Sequence, residues 1–270
     1  MTWIDPISRA LHRQAGQHGP VMLMYHAVTP DTVAPDWPWA VSMRQFRDQL
    51  DFLATEGYAT PTMGELAAAP IQNWPGRTAV ITFDDGYADN LAACEELQKR
   101  GMRATWFIVS GSIGQPPGWP DDGRPAGRLL NADELREMQV NGMEIGSHTV
   151  NHVRLTGLDD EHLMQELTHS RTTLEDLLGT AVGSFAYPYG DWDQRCAAAV
   201  QQAGYAAACT TEPGWTLRDN SLFQLRRLTI LNIDTPGSFA RKLCFGSHNV
   251  RWQDLARYAL RRMRAHQLHR

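Results

Sequence analysis

Three short segments of this chain carry side chains that can do chemistry together. Thr82-Phe83-Asp84-Asp85-Gly86-Tyr87 supplies two adjacent carboxylates. Ser147-His148-Thr149-Val150-Asn151-His152 supplies two imidazoles four residues apart. Phe185-Ala186-Tyr187-Pro188-Tyr189-Gly190 supplies a turn able to aim a backbone N–H. One carboxylate and two neutral imidazoles make the open, three-ligand site of a catalytic metal. The second carboxylate is then available as a base toward water. Zinc is the default divalent ion for such an N/N/O set, and cobalt, nickel or manganese satisfy it as well.

Context separates these groups from their look-alikes. Asp121-Asp122 lies in a polar loop and Asp159-Asp160 at a helix start, where solvated acids are ordinary. Asp84-Asp85 instead follows the apolar run Ala79-Val80-Ile81-Thr82-Phe83. Two charges at the end of a buried strand are costly unless paired or bound to a metal. His148 likewise follows a strand-like Glu144-Ile145-Gly146-Ser147, and the four-residue spacing predicts both rings on one side of a helical turn.

These groups need elements to position them. Apolar, β-branched or aromatic runs at 21–28, 78–85, 103–109, 144–148, 183–189, 206–211 and 223–230 read as strands. Between them, 42–57, 88–101, 131–142, 160–179 and 191–204 read as helices, with Ser, Asn or Asp at several starts and Gly at the stops. About seven strands alternating with helices predict a parallel sheet that can close into a barrel. Chemistry in such folds gathers at the C-terminal strand ends. Asp84, Asp85, His148 and the Tyr187–Gly190 turn should therefore meet at one rim. The Gly- and Pro-rich stretch 111–130 should emerge there too, as a substrate-side wall; a surface insertion without a role is the alternative.

With 270 residues, 43% of them hydrophobic, the chain reads as a single globular domain over 1–270, with its core at about 20–235 and a C-terminal helical extension at 236–270. A net charge of −5 argues against a nucleic-acid partner. Cys94, Cys196, Cys209 and Cys244 form no C-x-x-C pair, which predicts buried, reduced thiols. The N-terminus has no basic start followed by an apolar run, and no stretch approaches the roughly 20 apolar residues of a membrane span. The expectation is a cytoplasmic protein.

The three motifs resemble the polysaccharide deacetylase family, the NodB-homology or carbohydrate esterase 4 group, whose patterns are T-F-D-D-G, H-[ST]-x-x-H and R-x-P-Y-G. The likeness runs in strand order over about residues 20–235. It implies a distorted (β/α)7 barrel, Asp84 as general base, and Asp85, His148 and His152 as ligands of one divalent metal. It also implies that the Tyr189 backbone N–H helps to hold the oxyanion. Met24-Tyr25-His26 and Phe223-Gln224-Leu225-Arg226-Arg227-Leu228 are similar to a bacterial exopolysaccharide subgroup that removes acetyl from N-acetylhexosamine.

The chain departs from that pattern twice. Ala186 stands where the family carries the arginine that contacts the catalytic aspartate. Arg227, at the end of a candidate strand, either replaces its charge from another direction or is a surface residue. The late L-x-H motif that supplies the general acid is also not evident. His248 is the best-placed late histidine, although it is also readable as a loop residue. His26, ending the first strand, is an alternative acid or supports the site from behind.

Trp119, Trp192 and Trp215 fall in apparent loops, where indoles stack on sugar faces or simply pack. Trp192 directly follows the third motif and, with Trp119 and Tyr189, is the substrate-contact candidate. Residues 251–270 are basic and helical in pattern. Such a helix docks on its own domain, the commoner outcome, or lies on an anionic membrane surface. The resulting reading is a metal-dependent deacetylase of an N-acetylated saccharide. Its rivals are a hydrolase of another amide or ester, such as a cyclic amide, and a non-catalytic glycan-binding relic.

Overall fold

A computed structural model describes residues 4–14, 19–32, 36–70, 74, 76–120, 123–124 and 127–253. Seven parallel strands form one curled sheet in the order β8-β7-β6-β5-β4-β1-β9. They are β1 (Val21–Tyr25), β4 (Ala79–Phe83), β5 (Thr105–Ile108), β6 (Glu144–Ser147), β7 (Ser184–Ala186), β8 (Ala207–Cys209) and β9 (Leu228–Thr229). The two edges are joined through one segment. Leu225 exchanges backbone hydrogen bonds with Ala208 and Thr210 beside β8, and three residues later β9 pairs with β1. This is the distorted (β/α)7 barrel expected from the sequence.

The flanking helices are α1 (Pro6–Gln14), α2 (Met43–Thr55), α3 (Met63–Ala68), α4 (Leu91–Gln98), α5 (Ala132–Val140), α6 (Asp160–Leu178), α7 (Gln194–Gln202) and α8 (Pro236–Phe245). Capping residues begin most of them. Ser42, Asn131, Asp159, Asp193 and Thr235 each accept a backbone N–H from the first turn, a contact worth about 1 kcal/mol apiece. Gly179, at φ 69°, ends α6 in the left-handed conformation that a residue without Cβ adopts at no steric cost.

Alternation along the strands sorts the core into two layers. Leu23, Ile81, Phe83, Trp106, Ile145 and Phe185 face the helices. Met22, Val80, Phe107, Ala186, Ala207, Cys209 and Leu225 fill the barrel interior, with Met63 and Leu66 of α3 packed against them. α3 plugs the N-terminal end: Glu144 accepts hydrogen bonds there from the Gly64 N–H, Thr105 and Ser184. Thr82 and Asp84 share the parity of Val80, so the interior face carries Asp84 to the opposite, C-terminal rim.

Two expectations change. The run 21–28 is not one strand. It breaks at His26, and β2 (Ala27–Thr29) leaves the barrel to pair with β3 (Ala40–Ser42) in a separate two-stranded sheet. The Asn90 side chain fixes the break, accepting from Val28 N–H and donating to the His26 carbonyl. The His148–His152 spacing is not a helical turn either: Thr149 and His152 both have left-handed φ, 68° and 55°. That loop is instead held by Glu166, which accepts the Val150 and Asn151 N–H groups, and by Thr149 Oγ1, which accepts the His152 N–H.

Of the expected C-terminal helix, residues 254–270 lie outside the described residues, as do Asp121 and Asp122. Trp252 lies under the Arg241 guanidinium, 4.5 Å from it. Among the described residues no helix is long and apolar enough to cross a membrane. The four cysteines are buried and unbridged.

Candidate active site

Adjacent residues on a strand point to opposite faces, so Asp84 and Asp85 should not face the same way. They do because Asp85 adopts a left-handed φ of 70° just beyond β4. A non-glycine residue held there is strained and needs surrounding contacts to keep it. The same signature recurs at Thr149 and His152 in the second motif and at Tyr189, φ 59°, in the third. In the third motif Gly190 is also left-handed, and a Cβ on it would run into the Thr211 side chain.

Asp85 Oδ1 lies 3.4 Å from His148 Nε2 and 3.2 Å from His152 Nε2. These three buried groups can place their ligand atoms within 4.8 Å of one another, which fits one small divalent cation. His148 Nδ1 bonds the Ala186 carbonyl at 2.7 Å, which puts that proton on Nδ1 and leaves an Nε2 lone pair able to bind a metal ion. Burial alone would raise the Asp85 pKa. The imidazoles of His148 and His152 beside it outweigh burial and hold the carboxyl well below the ordinary range.

Asp84 has different partners. Arg227 meets it bidentately, Nη1 to Oδ1 at 2.6 Å and Nη2 to Oδ2 at 2.8 Å. The guanidinium is fully buried and also donates to the Thr210 carbonyl and Thr82 Oγ1. Burial again pushes the Asp84 pKa up, and the Arg227 charge, with His148, turns the shift downward. Arg227 enters from the segment that joins the two sheet edges, and Ala186 sits in the interior packed with Phe107. The missing motif arginine is thus matched by a guanidinium from the segment just before β9, and the surface reading of Arg227 is set aside.

A cavity of about 470 Å³ opens over these groups. Asp84, Asp85, His148 and His152 form part of its lining, together with Trp37, Trp39, Trp119, Tyr189, Arg154, His26 and His248. The fold is that of the deacetylases resembled in sequence, and the family model for polysaccharide deacetylases matches residues 72–208. The chain belongs to the polysaccharide deacetylase family.

Members of this family are hydrolases acting on C–N bonds, and the chain is accordingly a deacetylase of N-acetylated glycan. YxkH of Bacillus subtilis, which carries the polysaccharide deacetylase name, is 30% identical over 212 residues, 77% of this chain and 70% of its own. The Streptococcus pyogenes deacetylase PplD, solved in complex with acetate, is similar at a TM-score of 0.71 and 26% identity, over 83% of this chain and 97% of PplD. A polysaccharide deacetylase from Bacillus cereus superposes with a TM-score of 0.69 and 26% identity, over 83% of this chain and 68% of that one.

The other candidates divide. His26, half-buried, follows Tyr25, which pairs with Phe83, so it lies beside Asp84. Its Nδ1 is buried without a hydrogen-bond partner. Burial lowers its pKa while Asp85 and Asp84 pull it back up. His248 lines the cavity, and its Nε2 accepts the Thr229 N–H at 2.9 Å. Burial, then Lys242, lower its pKa. Trp119 stacks against His152 with ring centroids 4.5 Å apart, so the 111–130 loop does form a wall of the cavity. Trp192 does not line it. Trp192 packs on the core beside Tyr187, because the turn after Gly190 carries it back toward α7. Trp215 is also a packing residue.

The sequence reading missed Trp37, Trp39 and Arg154. Trp37-Pro38-Trp39 leads into β3, and the available signal was two indoles flanking a proline directly before a strand. Arg154 lies only two residues beyond His152.

Proposed function

We propose that this deacetylase is metal-dependent and removes N-acetyl groups from an N-acetylhexosamine-containing glycan or glycan precursor. One observation carries the reading: a second carboxylate, Asp84, lies on the same cavity wall as the Asp85, His148, His152 group but is bonded to Arg227 instead of the imidazoles. Family membership supports it, and so does the acetate in PplD. Asp85, His148 and His152 would hold one divalent ion, with zinc first and cobalt, nickel or manganese compatible. Bound there, such an ion would polarise the acetyl carbonyl and acidify water.

The remaining work falls to this chain's own groups. Asp84 takes the proton of the attacking water. Arg227 occupies one lone pair on each Asp84 oxygen, leaves another, and fixes the carboxylate plane before substrate arrives. A C–O bond forms to the acetyl carbon, and the Tyr189 backbone N–H serves the carbonyl oxygen as its charge develops. The C–N bond then breaks, a proton passes from an imidazole to the nitrogen, and acetate and a free amine leave.

We assign that proton to His26. Protonating His248 at Nε2 would forfeit its bond from Thr229, whereas His26 keeps a buried nitrogen without a partner beside Asp84. His248 then serves as a cavity wall.

The experiment is acetate release from N-acetylglucosamine oligomers, with cyclic amides as the competing substrates, before and after chelation and metal return. Metal-restored acetate release that His26→Gln abolishes and His248→Gln only weakens is expected. Turnover confined to cyclic amides, or activity indifferent to chelation, overturns the reading. Binding of oligomers without any turnover would make the chain a glycan-binding relic.

A further inference from the structure

Four flat groups follow one another along the cavity lining, in contact but tilted against each other. Trp119 lies against His152, His152 against Tyr189 at 4.5 Å, and the Arg154 guanidinium lies over the Tyr189 ring at 4.3 Å. Arg154 is therefore two contacts from a proposed ion ligand, and the ring beneath it restricts its planar fork. It is exposed and is the one lysine or arginine among the described lining residues.

The other charges of the cavity are already committed. Asp84 is neutralised by Arg227, and Asp85 faces the two imidazoles. Arg154 has no carboxylate partner among the described residues. Arg124, Arg128, Arg195 and Arg226, by contrast, each meet an acid. A substrate covering Arg154 strips water from it, which is unfavourable unless the substrate brings its own anion. A guanidinium already held flat loses little freedom on accepting two oxygens.

We propose that Arg154 is a specificity-determining residue that binds an oxyanion, a carboxylate or a phosphate, carried by the glycan on or next to the N-acetylated sugar. The proposal rests on the deacetylase reading and narrows its substrate class to acidic glycans or phosphorylated sugars. Tyr189 then has two duties: its backbone serves the reacting carbonyl and its ring holds the guanidinium. Because the oxyanion is bound alike before and during reaction, the effect falls on KM more than on kcat.

The test uses the metal-loaded protein and three probes: neutral N-acetylglucosamine oligomers, oligomers alternating N-acetylglucosamine with glucuronate, and N-acetylglucosamine 1-phosphate. The last two separate a carboxylate from a phosphate source. Wild-type kcat/KM is expected to favour at least one anionic probe over the neutral one by about tenfold or more. Arg154→Gln should erase that ratio through KM, Arg154→Lys should restore part of it, and added salt should erode it.

Equal handling of neutral and anionic probes by the wild type, or an unchanged ratio in Arg154→Gln, overturns the proposal. Calorimetric Kd values for the same probes keep the two readings apart. If no probe releases acetate, the deacetylase reading falls. A Kd preference for the anion that Arg154→Gln removes would still uphold the subsite, and no such preference would end it.

Discussion

At the N-terminal end of β4, opposite the rim, His12, Glu56, Arg13, Arg77 and Tyr58 form a second polar cluster from the same ingredients: imidazole, carboxylate and guanidinium. There one buried carboxylate takes both guanidiniums. Glu56 accepts from Arg13 and Arg77, while His12 Nε2 meets the Tyr58 hydroxyl at 2.8 Å and its ring packs edge-on to Phe52. At the rim the duties are split between two carboxylates. Arg227 takes Asp84, and the imidazoles converge on Asp85, to which no guanidinium is bonded among the described residues. The basal arrangement uses up its charge; the rim leaves two Nε2 atoms and a carboxylate oxygen facing one another over a cavity. Composition is shared, and the division of partners separates a site from a brace.

Four measurements would break or sharpen that contrast. Asp84→Asn should lower acetate release by about 10²- to 10⁴-fold while the metal content stays at the wild-type level. His148→Ala should lose both, and full metal stoichiometry in that variant would contradict the ligand assignment. Next, Arg227→Met strands a buried carboxylate and should cost about 3–5 kcal/mol in urea unfolding, most of it regained in the Asp84→Asn, Arg227→Met double variant. Glu56→Gln, whose arginines are partly in water, should cost only about 1 kcal/mol and leave acetate release unchanged. Equal costs would dissolve the contrast.

Chelation comes third. An ion present at about 100 times its Kd contributes about 2.7 kcal/mol, so removing it should lower the melting temperature of the wild type and of Glu56→Gln. His148→Ala should not respond. The smallest effect is a pH slope. Burial, with Arg77, pushes the His12 pKa down to about 4 from its ordinary value of 6.5. Between those values the unfolded chain binds more proton than the folded one, so stability falls as pH drops through that window and levels off below it. His12→Phe should flatten the slope, and an unchanged slope would assign it to other groups.

Much of this molecule was legible in its sequence because the relevant signals are local. Apolar runs placed all seven barrel strands, and capping residues with terminal glycines placed α2, α5, α6 and α7 nearly to the residue. Asp84, Asp85, His148 and His152 stood out because polar groups directly follow buried strands. What escaped was set by distant partners. The break at His26 depends on Asn90, 64 positions along the chain. The His148–His152 loop depends on Glu166, and an i, i+4 pattern reads equally as a helix when that anchor is unseen. Trp192 was placed by its adjacency to the third motif, but a turn reverses the chain there. Arg154 carries no local signal, because what marks it is Tyr189, from another loop, beneath its guanidinium.

Arg227 is delivered by the segment whose pairing with β8 and β1 joins the two sheet edges, and it lies late in the sequence. A chain lacking the residues from 222 onward already contains Asp84, Asp85, His148 and His152, yet lacks the guanidinium that pairs with Asp84. The segment that seals the seam of the barrel is therefore also the one that pairs the proposed base. Removing that seam would leave the proposed ion ligands in the chain while taking the guanidinium away from Asp84.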